Sequence, residues 1–230
     1  MEKNSFRNNL IHQVQSHPIL SNQWLESKKQ KKNLEKNDFV FWLTQEYHVS
    51  VSFVNWFLIA ATLTDNQSSK MVLVENVWEE LGSGDISITH VSILRKFLEE
   101  LQVTESQRIM LPQTKKYLEL MLQIVQKSFF HAIGALGPAN EYLLKLEYSE
   151  MHQLYQSLRK SSSNPFPEPV FFTVNLDADE GHSKRMFDLI ETVCTNELEK
   201  KQVMEGSQMA LDARILFYDG LKNLESLAFA

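Results

Sequence analysis

The chain has 230 residues, enough to bury a sizeable core, and its net charge of −6 argues against a nucleic-acid footprint, because binding phosphate needs a basic field. A single cysteine, Cys194, excludes an internal disulfide and suits a reducing compartment. Only 7 glycines and 6 prolines leave few breaks, which favours long helices over many short strands. No apolar run approaches the ~20 residues that a bilayer crossing needs. The N-terminus lacks the apolar segment of a signal peptide. A cytoplasmic, single-domain protein spanning residues 1–230 is expected.

In chain order, Phe6, Leu10, Ile11 and Val14 have helix spacing. His17-Pro18 breaks that run, and a second short helix is expected from near Leu20. Together these N-terminal helices, within residues 1–36, should pack on the rest of the bundle. The basic patch from Lys28 to Lys36 reads as a solvated face in an acidic chain. Asn37-Asp38 suits an N-cap before residues 39–48, and helix resumes over 53–64 with an ambiguous join at Val49, Val51 and Val54. Residues 68–81 form a further helix, stopped by Gly82-Ser83-Gly84. Asp85 or Ser87 then caps a helix over 88–101.

Pro112 sits near the start of a helix over 114–130, and Gly134 and Gly137-Pro138 punctuate the chain before a helix over 139–159. Three serines, Asn164 and three prolines make 161–169 the clearest loop, too short to link two domains. Phe171 to Val174 has strand propensity, but the spacing that follows argues for helix. Helices over 182–201 and 207–228 close the chain. So much helix, without a repeat of 20–50 residues, indicates an all-α bundle rather than a solenoid.

Ligand-capable side chains recur on separate helices of that bundle. Asn175, Asp179 and His182 are spaced i, i+4, i+7 and so share one helix face. Glu79-Glu80 end one helix, His90 begins the next, and Glu141 follows Gly134 to Asn140. Facing helices that each point Glu, Asp or His inward are how a bundle builds a di-metal carboxylate site. Oxygen and imidazole donors suit iron or manganese better than structural zinc, which prefers thiolates. Each residue also has an ordinary explanation. One of Glu79 and Glu80 is by default a surface charge, although a helix C-terminus disfavours carboxylates. Glu141 suits a first helical turn, Asp179 a cap, and His90 a plain helix position. His12, His17, His48, His131 and His152 read as structural, and Cys194 as core. The aromatics Phe53, Trp56, Phe57, Phe129 and Phe130 read mostly as core. No G-x-S-x-G, P-loop or G-x-G-x-x-G is present.

The order of these segments resembles the heme-oxygenase-like di-metal oxidase and oxygenase superfamily, in particular its CADD-like branch (chlamydial protein associating with death domains), which includes cyanobacterial relatives of unknown function. Asn76 to Asp85 with His90 is similar to that family's Asn-x-x-x-Glu, Gly and His segment. Gly134 to Glu141 is similar to its central glutamate helix, Asn175 to His182 to its His-x3-Asp-x2-His helix, and Arg214 to Gly220 to its last helix. The resemblance implies an all-α heme-oxygenase-like bundle of the TenA, PqqC and CADD type, with seven or eight helices. It implies a non-heme iron oxidase or oxygenase that activates O2 to oxidise a small organic substrate. Two irons are implied, one on Glu80 and His90 with the first histidine of the last motif, the other on Glu141, Asp179 and His182. That first histidine is Asn175 here, a weaker neutral donor, so a single iron on Glu141, Asp179 and His182 is the other outcome. The expected partner is a small molecule with an apolar part, with no nucleic acid and no membrane span, and a homodimer is compatible. The alternative is a metal-degenerate or cofactor-free member of the same scaffold, acting as a binding module or as a TenA-like or PqqC-like enzyme.

Overall fold

The apolar periodicity noted above becomes a layered helical bundle. In the computed structural model of the chain, residues 3–31, 34–162 and 166–228 are described; the side chains of residues 3, 4, 31, 178–180 and 224–228 lie outside that description. The α-helices are α1 (Lys3–Gln15), α2 (Gln23–Lys31), α3 (Lys36–Thr62), α4 (Gln67–Glu80), α5 (His90–Glu100), α6 (Pro112–Lys127), α7 (Phe129–Leu136), α8 (Leu143–Ser161), α9 (Val170–Val193) and α10 (Glu197–Ala228). A π-turn, Gly137–Tyr142, joins α7 to α8 without a break, so the described residues form nine rods, close to the seven or eight expected. No strand occurs among the described residues, and no described helix is long and apolar enough to cross a membrane.

Helix α3 is the central rod, 27 residues or about 40 Å at the helical rise. The ambiguous join around Val49 to Val54 is uninterrupted helix. Its N-cap is Glu35 rather than Asn37 or Asp38, and Asp38 instead accepts from the Glu35 N–H at 3.2 Å. Phe39, Trp42, Leu43, Val49, Phe53, Trp56, Phe57 and Ala60 recur on one side of it and are buried, so Phe53, Trp56 and Phe57 are core, as expected. Phe39 stacks on Tyr155 of α8 with centroids 4.4 Å apart, and Trp42 stacks on Phe172. Phe171 and Phe172 are fully buried in the first turn of α9, so the stretch with strand propensity is helical because both rings are needed inside. Helices α1 and α2 pack onto α9 and α10, burying Leu10, Val14, Trp24 and Leu25.

A second polar knot ties α3, α8 and α10 together. Arg214 is fully buried and gives Nε and a terminal nitrogen to Glu147 Oε2, at 3.1 and 2.7 Å, and another bond to Glu46. The Tyr148 hydroxyl donates to Glu46 Oε2 at 3.2 Å. Two buried carboxylates thus share one guanidinium, which also lies 3.9 Å over the Phe217 ring. Burial, opposed by Arg214 and assisted by Glu147, pushes the Glu46 carboxyl up to about 7.

Helix boundaries depart from expectation at two further places. Gly206 was expected in a break between helices, yet it lies inside α10, and the break falls at residues 194–196. Asn196 and Glu199 form a reciprocal cap there: Asn196 Oδ1 accepts from the Glu199 N–H at 3.1 Å, and Glu199 Oε2 accepts from the Asn196 N–H at 3.2 Å. Gly206 instead permits a close helix crossing. A Cβ on it would lie 2.2 Å from the His131 carbonyl oxygen, and a Cβ on Gly134 would lie 2.1 Å from that of Val203. The α7–α10 crossing therefore needs both glycines. Residues 163–165 of the expected loop lie outside the described residues, but α8 ends at Ser161 and α9 begins at Val170.

Gly206→Ala or Gly134→Ala should each lower stability by about 3 kcal/mol, since helix backbones would have to separate. Urea denaturation with an unchanged m-value checks this. Wild-type stability in both variants would contradict the crossing.

Candidate metal centre

Four elements deliver the expected side chains to one place. Helix α4 ends with Glu79 and Glu80 in its last turn, where the dipole disfavours carboxylates. Gly82, with φ +74, turns the chain back, and a Cβ there would lie 3.0 Å from the backbone of Ile88 and Thr89. Residues 86–88 form a 3-10 turn, so the next helix starts two residues later than expected. Thr89 is the N-cap, its Oγ1 accepting from the Ser92 N–H at 3.0 Å, and this sets His90 as the first residue of α5. Glu141 lies in the π-turn, a helix irregularity that tends to mark functional positions. His182 sits in the middle of α9.

Glu80, His90, Glu141 and His182 meet in the interior. His90 Nδ1 lies 2.9 Å from Glu80 Oε2. His182 Nδ1 lies 3.6 Å from Glu80 Oε1 and 3.5 Å from Glu141 Oε2. The two imidazole rings face each other with centroids 6.5 Å apart. His182 is fully buried and Glu141 is 1% exposed. Glu79, ligand-capable by sequence but not among the donors the resemblance implies, joins them: its Oε2 accepts from His182 Nε2 at 2.7 Å and from Arg185. Arg185 also donates to Asn76 Oδ1 at 3.1 Å. Sequence reasoning missed Arg185, although it lies three residues after His182 and hence on the same helix face.

Two of the expected donors are not seen in the cluster. Asn175 is buried on α9, but its Nδ2 donates to the Phe171 carbonyl at 2.7 Å, and no contact with the cluster is found among the described residues. The side chain of Asp179, which lies between Asn175 and His182 on α9, is outside the described residues. Three of the other histidines are engaged elsewhere. His17 accepts from the Ile19 N–H and faces Asp212, His48 donates to the Arg108 carbonyl, and His131 meets Ser128. Cys194 is half-buried, and burial pushes its thiol up to about 12, which makes it a poor nucleophile.

The cluster is short of positive charge. Burial opposes a charged His182, but Glu141, Glu80 and Glu79 outweigh it and raise its pKa to about 9. Burial likewise opposes a charged His90, and Glu80 raises it nonetheless. Glu141 is itself raised, chiefly by burial, with His182 opposing. Glu141 Oε1 is buried with no hydrogen-bond partner, and His90 Nδ1 and His182 Nδ1 face only carboxylates, at the ion-pair distances given above. No three His, Cys, Asp or Glu side chains among the described residues are arranged as a metal-ligand set. Their chemistry nevertheless fits a divalent first-row cation: imidazole nitrogens and carboxylate oxygens, buried, with unspent lone pairs and excess negative charge.

The raised His182 has a consequence for metal-free protein. A folded pKa of about 9 against 6.5 unfolded stabilises the fold fully below about pH 6.5, and that stability is lost as pH rises through about 9. The raised Glu141 acts in the same sense. Metal-free protein should therefore lose on the order of 2 kcal/mol between pH 6.5 and 9.5, and His182→Gln should flatten the loss. Denaturation across that range checks it, and a flat wild-type profile would contradict it.

Comparison with known proteins gives the family and the fold. The sequence profile described as iron-containing redox enzyme matches residues 40–215, which include Glu80, His90, Glu141, Asp179 and His182. No curated protein matches. A crystal structure of a CADD-like protein of unknown function from Nostoc punctiforme is similar with a TM-score of 0.80 at 20% identity, covering 96% of this chain and 97% of that one. A domain of unknown function with a heme oxygenase-like fold from Shewanella denitrificans has a TM-score of 0.69 at 14% identity, over 100% and 92% of the two chains. A TenA homologue from Pseudomonas syringae has a TM-score of 0.65 at 13% identity, over 96% and 91%. These structures share the fold, and with a profile match over most of its length the chain belongs to the iron-containing redox enzyme family, on a heme oxygenase-like bundle.

Proposed function

We propose that the protein is a non-heme iron oxidase or oxygenase that uses O2 to oxidise a small organic substrate, with two irons as the full complement. The observation that carries this reading is the burial of Glu80, Glu141, His90 and His182 together, with an unpartnered oxygen on Glu141 and carboxylates that outnumber the permanent cations. Those four residues would hold the iron, with Asp179 as a fifth donor. When bound, ferrous iron supplies the electrons that reduce O2 and a Lewis acid at the reacting oxygen. The chain's own part is to keep the centre dry, hold the donors in register and admit the substrate. Glu141 and His182 are closed off from solvent, so side reactions with water are suppressed. Glu79, whose side chain is 36% exposed, is the open edge, and Arg185 anchors it. His182 carries a proton at neutral pH without metal, and cation binding displaces it.

Asn175 favours a second reading, a member of the scaffold that has lost iron and acts as a binding module or as a cofactor-free enzyme. Its amide is turned to its own helix backbone instead of the cluster.

Iron content separates the two. Protein made with added iron should retain about one iron per chain or more, falling at least about tenfold in Glu141→Gln combined with His182→Gln. Asn175→His should raise retained iron towards two per chain. Manganese(II), as an air-stable probe, should bind about tenfold more tightly per pH unit between pH 6 and 8, as one proton is displaced. Wild-type protein that is folded yet retains no iron and binds no manganese would move the assignment to the second reading.

A further inference from the structure

Four side chains make a continuous line of contacts where α4 meets α9. Asn76 and Glu79 stand three residues apart on α4, and His182 and Arg185 three apart on α9, so each pair shares one helix face. Asn76 is fully buried, and its Oδ1 accepts from Arg185 at 3.1 Å. The same guanidinium nitrogen donates to Glu79 Oε2. That oxygen also accepts from His182 Nε2 at 2.7 Å. One edge of the His182 ring is thus committed to Glu79, which is itself tied down from behind.

The other edge is spaced differently. His182 Nδ1 lies 3.5 Å from Glu141 Oε2 and 3.6 Å from Glu80 Oε1. Those separations are long for a hydrogen bond, whose donor and acceptor stand about 2.7–3.2 Å apart. They match instead the spacing of about 3.4 Å between two donors that each lie about 2.1 Å from a tetrahedral ion. The ring therefore has a hydrogen-bonding edge toward Glu79 and a ligand-spaced edge toward Glu80 and Glu141.

We propose that His182 meets its cation through Nδ1, and that Glu79 is a positioning residue that holds the Nε2 proton and so fixes that choice. A histidine that binds a metal through one nitrogen gives the N–H of the other to an acceptor, which sets the tautomer, orients the ring and makes the ligand more basic. Ligation through Nε2 would break the shortest contact of the ring and require it to turn inside a fully buried position. Arg185 and Asn76 keep the Glu79 carboxylate where the ring needs it. The inference rests on the reading of the cluster as a metal centre and adds which atom of His182 binds and which residue orients it.

Long-range proton–nitrogen NMR on the full chain, labelled at the histidine nitrogens and loaded with zinc, tests this. Zinc is diamagnetic and takes imidazole and carboxylate donors. The His182 signals, assigned by their loss in His182→Gln, should show a protonated Nε2 and a metal-bound Nδ1. In Glu79→Ala that single pattern should be lost, and zinc affinity should fall about tenfold or more. Glu79→Gln keeps an acceptor without the charge, so the Nδ1 pattern should persist with a loss of only a few-fold. Glu75→Gln, exposed and one turn back on α4, controls for charge alone and should change affinity less than about twofold. Zinc on Nε2, or wild-type affinity and spectrum in Glu79→Ala, would overturn this inference and leave the iron reading standing. Folded protein in which no metal reaches His182 would overturn both.

Discussion

Buried negative charge is the constraint on which the centre depends. Glu80 and Glu141 stand within 3.6 Å of His182 in a bundle whose surroundings are apolar. A unit charge pair at that distance is worth about 4–5 kcal/mol at an effective dielectric of 20, and removing one partner of a buried pair costs about 3–5 kcal/mol. Without metal, protons on the imidazoles supply the missing charge, which is why burial alone fails to keep His182 neutral. A site that raises an imidazole to about 9 is one that accepts a cation in place of that proton. The Arg214 knot obeys the same rule with a permanent cation that reaches both of its carboxylates, whereas in the centre Arg185 reaches Glu79 and leaves Glu80 and Glu141 to the imidazoles.

The fold serves this arrangement at its irregular points. Gly82 brings His90 back against Glu80, and the π-turn holds Glu141 in a rod that would otherwise be plain helix. The Gly134–Gly206 crossing sets that rod close to α10. Regular helix supplies the walls, and the departures from it supply the donors.

Much of this was legible in the sequence, for physical reasons. Sparse glycine and proline with apolar steps of three and four residues can only be helices, and the spacing of Asn175, Asp179 and His182 put them on one face before any strand propensity of Phe171 to Val174 could matter. The Gly82-Ser83-Gly84 stop was equally plain. That both Glu79 and Glu80 join the cluster was hidden, because a carboxylate at a helix end looks solvated until its partners, here His182 and Arg185, are seen more than a hundred residues away. Gly206 fell between the helices expected over 182–201 and 207–228, because the sequence does not reveal a glycine kept for a close helix approach. The true break carried its own signature, Asn196 with Glu199 three residues on. Gly137-Pro138 suggested an interruption, yet the chain absorbs both residues in a π-turn.

The most direct test of the centre is an anomalous difference map at the iron edge from crystals of protein loaded with ferrous iron under anaerobic conditions. A peak within bonding distance of Glu141 and His182, with a second near Glu80 and His90 where two ions bind, is the predicted result. Saturating iron with no peak among these four side chains, or a peak only at the protein surface, would contradict the assignment.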